Sequence, residues 1–222
     1  MRLSDIEWNP RRTQARLRFD DGLELTLTAA TMRETGPRSG QTYGRGDVEA
    51  WERLDARVRA RDDALRLLDH RGRSRGELVR GLVRRGHAAE LAAEVADGLA
   101  KTGLVDDAAY AESYVRGRIA RRPRGRRALV LELRGRLVSE SDAEAAVARV
   151  LADEGLEEGE LARQATRGWL SRQAPGEVAR ARAGDEETRE RLYRRARWWL
   201  ERRGFTGDVA HAQVSGALED RG

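Results

Sequence analysis

The sequence predicts a mainly α protein: three tandem three-helix repeats, elongated in build, behind a small N-terminal β-hairpin module. Three observations carry this reading. Helical apolar periodicity runs from about Asp47 almost to the end of the 222 residues. Within it, GELVRGLVRRGH (76–87), ALVLELRGRLV (128–138) and RARWWLERRGF (195–205) align with Leu82, Leu133 and Leu200 in register. The apolar fraction, 39%, is thin for one thick core but sufficient for stacked helical layers, each burying its apolar face on the next.

Residues 1–28 alternate as strands do. Ala15, Leu17 and Phe19 share one face, and Leu23, Leu25 and Leu27 share a face of the next strand. Asp20-Asp21-Gly22 between them is a strong hairpin signal, and Ile6 with Trp8 supplies a third strand. Residues 29–35 read as a short helix, and GPRSGQTYGRGD (36–47) as a connector. Each register segment then has a helix before it (48–70, 107–121, 157–172) and another after it (88–101, 141–153, 207–219). The expected organisation is an N-terminal module over 1–47 and repeats over 48–105, 106–155 and 156–222. The extra length of the third repeat is expected in a loop, an insertion near 173–187. Ser74 with Glu77 and Ser141 with Glu144 fit the S-x-x-E capping box. Asp106 is the expected N-cap before DAAYAESYV, Gly86 and Gly204 fall where a left-handed helix end belongs, and Pro123 falls near a helix start.

Charge alternates along this pattern. Residues 71–85 hold six Arg and one Glu, and 87–107 hold five acids and Lys101, the only lysine in the chain. Residues 116–136 hold nine Arg and one Glu, 139–160 hold eight acids and Arg149, and 189–203 hold seven Arg and two Glu. Each repeat thus pairs a basic middle helix with a neutral or acidic closing helix. The run RRPRGRR (121–127) has no acid to offset it, so contact with phosphate or an acidic partner outweighs a merely solvated loop. For Arg71, Arg73 and Arg75 the two readings weigh equally.

Signs of chemistry are few. The chain has no cysteine, which excludes disulfides and thiolate metal sites. His70, His87 and His211 are isolated in sequence, and Asp106-Asp107 is better explained as a helix start than as a metal site. No phosphate-binding or nucleophile-elbow motif occurs. No cofactor, metal or catalytic residue is expected. Trp8, Trp51 and Trp169 are expected to pack, as are Tyr110 and Tyr114; of the adjacent Trp198 and Trp199, one must face away from the other. The opening MRLSDIEWNPRR has no apolar run, so the expectation is a soluble, cytoplasmic protein, monomeric and without a membrane partner.

Three segments carry a family resemblance. ALRLLDHRGRSRGEL (64–78) is similar to an A-L-x-x-L run followed by R-S-x-x-E-L. GLVDDAAYAESYVRGR (103–118) is similar to G-x-L-D-D-x-x-[FY]-A-x-x-[YW]-x-x-x-R. GRRALVLELRGRLV (125–138) is similar to G-x-x-x-I-x-x-E-L-x-x-K-G-I, with Leu137 at the usual glycine. In these the chain resembles the RecX proteins, modulators of bacterial RecA recombinase, over roughly residues 50–218. The resemblance implies a curved modular rod of three-helix repeats that binds in the groove of the RecA–DNA filament. It implies effects on ATP hydrolysis, filament growth and strand exchange in recombination and DNA repair, by shape and charge without chemistry of its own. The contacts expected for RecA and, weakly and salt-dependently, for single-stranded DNA are Arg71, Arg73, Arg75, Arg84, Arg85, Arg116, Arg118, Arg121, Arg122, Arg124, Arg126 and Arg127. A helical-repeat nucleic-acid binder acting independently of RecA is the alternative; its acidic helices would repel a long duplex.

Overall fold

A computed structural model describes residues 1–219. The chain divides into two compact units, Met1–Val105 and Asp106–Gly222.

The first unit opens with an antiparallel sheet of β1 (Leu3–Trp8), β2 (Gln14–Phe19) and β3 (Glu24–Thr28), in that order. Leu17 pairs with Ile6 on one side and Leu25 on the other. The alternation buries Ala15, Leu17 and Phe19 as expected, together with Leu27. Leu23 does not share that buried face: it precedes β3, beyond the Gly22 turn, and is exposed. Helix α1 (Ala29–Thr35) follows, and α2 (Arg45–His70) then joins two cores. Its Val48 and Trp51 close the core of the sheet, whereas Ala60, Ala64 and Leu67 pack with α3 (Arg75–Val83) and α4 (Ala89–Lys101). The β module is therefore built against α2. A buried carboxylate ties the two together: Asp55 Oδ1 accepts from Thr28 N–H at 2.6 Å and from the Thr31 hydroxyl at 2.9 Å, and Oδ2 pairs with Arg59. Such a charge is tolerated in a core only when its oxygens are bonded and paired.

The second unit is a single core wrapped by α5 (Asp107–Arg121), α6 (Arg126–Arg134), α7 (Glu140–Asp153), α8 (Glu158–Leu170), α9 (Pro175–Arg182), α10 (Glu186–Glu201) and α11 (Gly207–Glu219). The predicted insertion is not a loop. Pro175 starts α9 in the first turn, where its missing N–H costs nothing, and Ala181 turns into the core. The sequence around 173–185 hides this because PGEVARAR offers few apolar positions from which to read a period.

The register segments correspond in detail. Leu82, Leu133 and Leu200 are all fully buried. Four residues beyond each, Gly86, Leu137 and Gly204 have φ of 92°, 62° and 85°. Leu137 thus holds a left-handed conformation that glycine adopts without strain. Leu137 is 38% exposed and lies outside the buried core. Leu137→Gly is therefore expected to stabilise the protein by about 1 kcal/mol in a denaturant titration, reversing the usual penalty of glycine.

Two predicted caps hold and one moves. Ser74 caps α3 by accepting from Glu77 N–H at 3.1 Å. Asp106 caps α5 by accepting from Ala109 N–H at 2.9 Å. Ser139, not Ser141, caps α7: its hydroxyl accepts from Asp142 N–H and bonds the Asp142 carboxylate at 2.6 Å. Val138 turns into the core immediately before it, which fixes the helix start two residues early. Pro123 falls near a helix start as expected, two residues before Gly125, the N-cap of α6. Asp106→Ala is expected to lower stability by about 1 kcal/mol, with Asp106→Asn and Asp106→Ser close to the parent, because either side chain still accepts the N–H bond. Thermal melts of the three variants test this, and a loss equal in all three would mean that the charge, not the cap, is what matters.

Candidate arginine-rich interface

The predicted arginines fall in both units and behave in two ways. Around the start of α3 they are structural. Arg71 makes a bidentate pair with Glu77 at 2.9 and 3.1 Å. Arg75 makes one with Asp97 of α4, Nη2 to Oδ2 at 3.0 Å. Arg73, half-buried, donates from Nε to the Leu67 carbonyl at 3.0 Å and fastens the end of α2. Burial disfavours its charge first, and the neighbouring Arg71, Arg84 and Arg85 add to this. At the other end of α3, Arg84 and Arg85 are exposed.

In the second unit Arg116 reaches Glu112, Asp153 and Glu154, at 2.9 Å to Asp153. Arg118 is bidentate to Glu132 at 2.7 and 3.1 Å, and Arg124 Nε stands 3.4 Å from the same carboxylate. The Tyr114 hydroxyl donates to Glu132 at 2.7 Å. Arg136 lies 4.5 Å over the Tyr114 ring and donates to the Tyr110 hydroxyl at 3.2 Å. Burial pushes the Glu132 carboxyl up, but the bonds from Arg118 and Tyr114 and the Arg118 and Arg124 charges together hold it below the usual carboxylate range. The tyrosines do face inward, as expected, with their hydroxyls committed to this network.

Arg121, Arg122, Arg126 and Arg127 are exposed. Like those of Arg84 and Arg85, their guanidinium groups form no ion pair within 4 Å among the described residues, although the Arg126 backbone N–H donates to the Glu158 carboxylate at 3.3 Å. The twelve predicted arginines therefore split into six held by the fold (Arg71, Arg73, Arg75, Arg116, Arg118, Arg124) and six presented to solvent.

Other arginines join them without having been predicted. Arg203 stacks 4.1 Å over Trp199, and Arg172 lies 5.8 Å over the same ring. Arg203 Nη1 also donates to the Pro123 carbonyl at 3.2 Å, which brings the end of α10 against the connector before α6. The register of the three segments offered one signal for Arg203, since it stands where Arg85 and Arg136 stand in the others. Nothing in the spacing pointed to Arg172. The tryptophan pair divides as expected: Trp199 packs on Trp169, centroids 6.4 Å apart, while Trp198 is 58% exposed with Arg202 4.6 Å over its ring.

The histidines do not gather. His87 Nε2 bonds Asp63 at 2.9 Å, and that bond, opposed by burial and aided by Arg85, holds the Asp63 carboxyl below its ordinary range. His211 bonds the Tyr193 hydroxyl. Among the described residues no group of three or more His, Cys, Asp or Glu side chains is placed to hold a metal, and no helix is long and apolar enough to cross a membrane.

Family models match the chain in two places: the first three-helix domain of RecX over residues 60–99 and the second over 106–147. The regulatory protein RecX of Mycolicibacterium vanbaalenii is 36% identical over 171 residues, covering 77% of this chain and 89% of the relative. That of Halorhodospira halophila is 36% identical over 160 residues, covering 72% and 89%. A crystal structure of a regulatory protein RecX superposes with a TM-score of 0.67 at 19% identity, over 96% of this chain and 98% of that one. The RecX structure from Lactobacillus salivarius gives 0.58 at 19% identity, over 74% and 97%. These superpositions show the mainly helical fold with its small N-terminal sheet.

Proposed function

The chain belongs to the RecX family of regulatory proteins, and from that premise we propose that it binds the RecA–DNA filament in its groove and restrains RecA's ATP hydrolysis, filament growth and strand exchange. It does so as a soluble cytoplasmic monomer without catalysis, and residues 48–105, 106–155 and 156–222 act as successive recognition segments. One observation carries this reading. In a chain with 38 acids, Arg84, Arg85, Arg121, Arg122, Arg126 and Arg127 are exposed and their guanidinium groups form no ion pair within 4 Å among the described residues. Their neighbours are engaged by Glu77, Asp97, Glu112 and Glu132. Cations that the fold leaves unused beside cations it fastens are suited to a polyanion or an acidic wall, where complementarity sets specificity and encounter rate. Binding by charge and shape needs no reacting group.

The test is ATP hydrolysis by the cognate RecA on single-stranded DNA, with and without this protein. Suppression below a one-to-one ratio is expected, because one chain with several recognition segments spans several subunits. Unchanged hydrolysis and strand exchange at excess protein would overturn the reading. Arg126→Glu with Arg127→Glu is expected to weaken filament binding at least about tenfold at low salt. The same change should move the melt little, since both residues sit in the first turn of α6, where acids suit the helix dipole, while the Glu158 carboxylate at the Arg126 N–H opposes part of that gain. Arg124 is left intact in this variant because it pairs with Glu132.

A further inference from the structure

We propose that Arg172 and Arg203, stacked beside Trp199, and Arg122, which precedes the Pro123 that Arg203 bonds, form a phosphate-binding site for a single nucleic-acid strand. The proposal deepens the preceding reading by assigning the nucleic-acid contact within the second unit.

The site is assembled by distant segments. Arg203 comes from the end of α10, Arg172 from just beyond α8, and Arg122 from the end of α5. Trp199 positions two of them, with Arg203 4.1 Å and Arg172 5.8 Å from its ring centroid. A guanidinium lying over an indole keeps its edge N–H groups available, and those edges make the bidentate contacts that phosphate favours. Arg203 is fixed further by its bond to the Pro123 carbonyl, and its own carbonyl accepts from Gly125 N–H at 3.0 Å. The groups are thus ordered before any ligand arrives, which lowers the entropy lost on binding.

Charge supplies the second argument. The arginines whose charges bear on Arg203 are Arg124, Arg172, Arg122 and Arg118, after burial as the largest influence against its charged form. Of these five guanidinium groups, those of Arg118 and Arg124 are paired with an acid, and both use Glu132, which also takes the Tyr114 bond. Arginine does not give up its proton near neutral pH, so the repulsion stands until an anion relieves it.

A nucleic-acid strand fits better than an acidic protein loop for one further reason. Trp198, the residue before Trp199 in α10, exposes its ring to solvent with Arg202 over it at 4.6 Å. An exposed aromatic ring with a guanidinium over it, on the same helix as Trp199, suits a single strand, where bases stack while phosphates meet arginine. An acidic loop has no use for the ring.

The experiment is a salt series of fluorescence-anisotropy titrations with a labelled oligothymidine of about 15 nucleotides. It compares the intact chain, the double variant Arg122→Ala/Arg172→Ala and the single variant Trp198→Ala. Arg122, Arg172 and Trp198 are exposed, and a thermal melt of each variant confirms the fold. With about four phosphates neutralised, the parent's log–log slope is expected near −3; the double variant should lose about 1.4 of it and bind about tenfold more weakly at low salt. Trp198→Ala should weaken binding at every salt concentration without changing the slope. A double variant with the parent's slope and affinity overturns the proposal. So does a double variant that keeps the oligonucleotide and loses the RecA filament, since the cluster would then meet an acidic protein surface. RecA-dependent ATP hydrolysis is measured in parallel. A parent that restrains RecA but binds no oligonucleotide sinks the phosphate site and leaves the family reading standing. A parent with no effect on RecA, and oligonucleotide binding that depends on these arginines, does the reverse.

Discussion

Gly125→Ala is expected to destabilise the second unit by about 3 kcal/mol or more, with a melt lowered by roughly 10 °C. The backbone of Gly125, at φ −72° and ψ 158°, would accept alanine without strain. The obstacle is space. A Cβ there would stand 2.2 Å from the Gly204 carbonyl carbon and oxygen and 2.4 Å from the Phe205 nitrogen. The approach is mutual, since a Cβ on Gly204 would stand 2.3 Å from the Ala128 nitrogen. Overpacking ordinarily costs about 1–3 kcal/mol, because side chains yield. Here the colliding atoms are backbone, and separating them also stretches the Gly125 N–H to Arg203 carbonyl bond. Gly117→Ala is the matched control: Gly117 lies within α5 with nothing within 4 Å of its added Cβ. That change should stabilise by about 0.5–1 kcal/mol. Trp169, Trp198 and Trp199 are the tryptophans of the second unit, so their fluorescence reports the loss. A Gly125→Ala melt like the parent's would mean that the two chain segments are not in contact in solution.

That contact marks where sequence reading stopped. Periodicity, caps and hairpin signals are local, so they placed the helices within a few residues and the sheet nearly to its register. Even the equivalence of Gly86, Leu137 and Gly204 was legible, because repeated helices end at repeated positions. The touching of Gly125 and Gly204, far apart in the chain, has no local signature; in sequence Gly125 sits in an arginine run and Gly204 falls at a helix end. The α9 helix was missed for a related reason, since it adds a single buried alanine to the core.

Much the same limit divides the candidate site. Clustering identified where cations concentrate, but a run of arginines does not reveal which of them meet acids from other helices. Arg118 and Arg124 look alike in sequence to Arg121 and Arg122, yet the first two are drawn inward by Glu132. Arg118 stands one helical turn beyond Tyr114, on the face that meets α6; Arg121 and Arg122 end the helix in solvent. The resemblance motifs take on a physical meaning in this light. Tyr110, Tyr114 and Arg118 of GLVDDAAYAESYVRGR, with Glu132 and Arg136 of GRRALVLELRGRLV, are the members of one hydrogen-bonded network. The most family-like residues of the chain hold α5 against α6, while Arg121, Arg122, Arg126 and Arg127 are left exposed.

Glu132→Gln should therefore harm the fold far more than a single exposed acid would, by about 3 kcal/mol. Exposed ion pairs contribute at most about 1 kcal/mol, and fully buried pairs cost about 3–5 kcal/mol when one partner is removed. Glu132, with its side chain 21% exposed, lies nearer the second case, because it serves Arg118, Arg124 and Tyr114 at once. Glutamine still offers an oxygen to Tyr114 but no charge, and it leaves the buried Arg124 Nε without a counterion. Glu49→Gln, which removes the exposed partner of Arg45, is the comparison and should stay within about 0.5 kcal/mol of the parent. The pH dependence supplies a sharper check. The folded carboxyl titrates below its unfolded value near 4.5, so its contribution is fully present above that value and is lost as the pH falls through the lower folded one. Denaturant titrations of the parent and Glu132→Gln should differ by a constant amount at neutral pH and draw closer only below about pH 4.5. Curves that stay a fixed distance apart down to pH 3 would show that glutamine disrupts packing rather than charge. A difference vanishing already near pH 6 would show that the network does not hold this carboxylate in its ionised form.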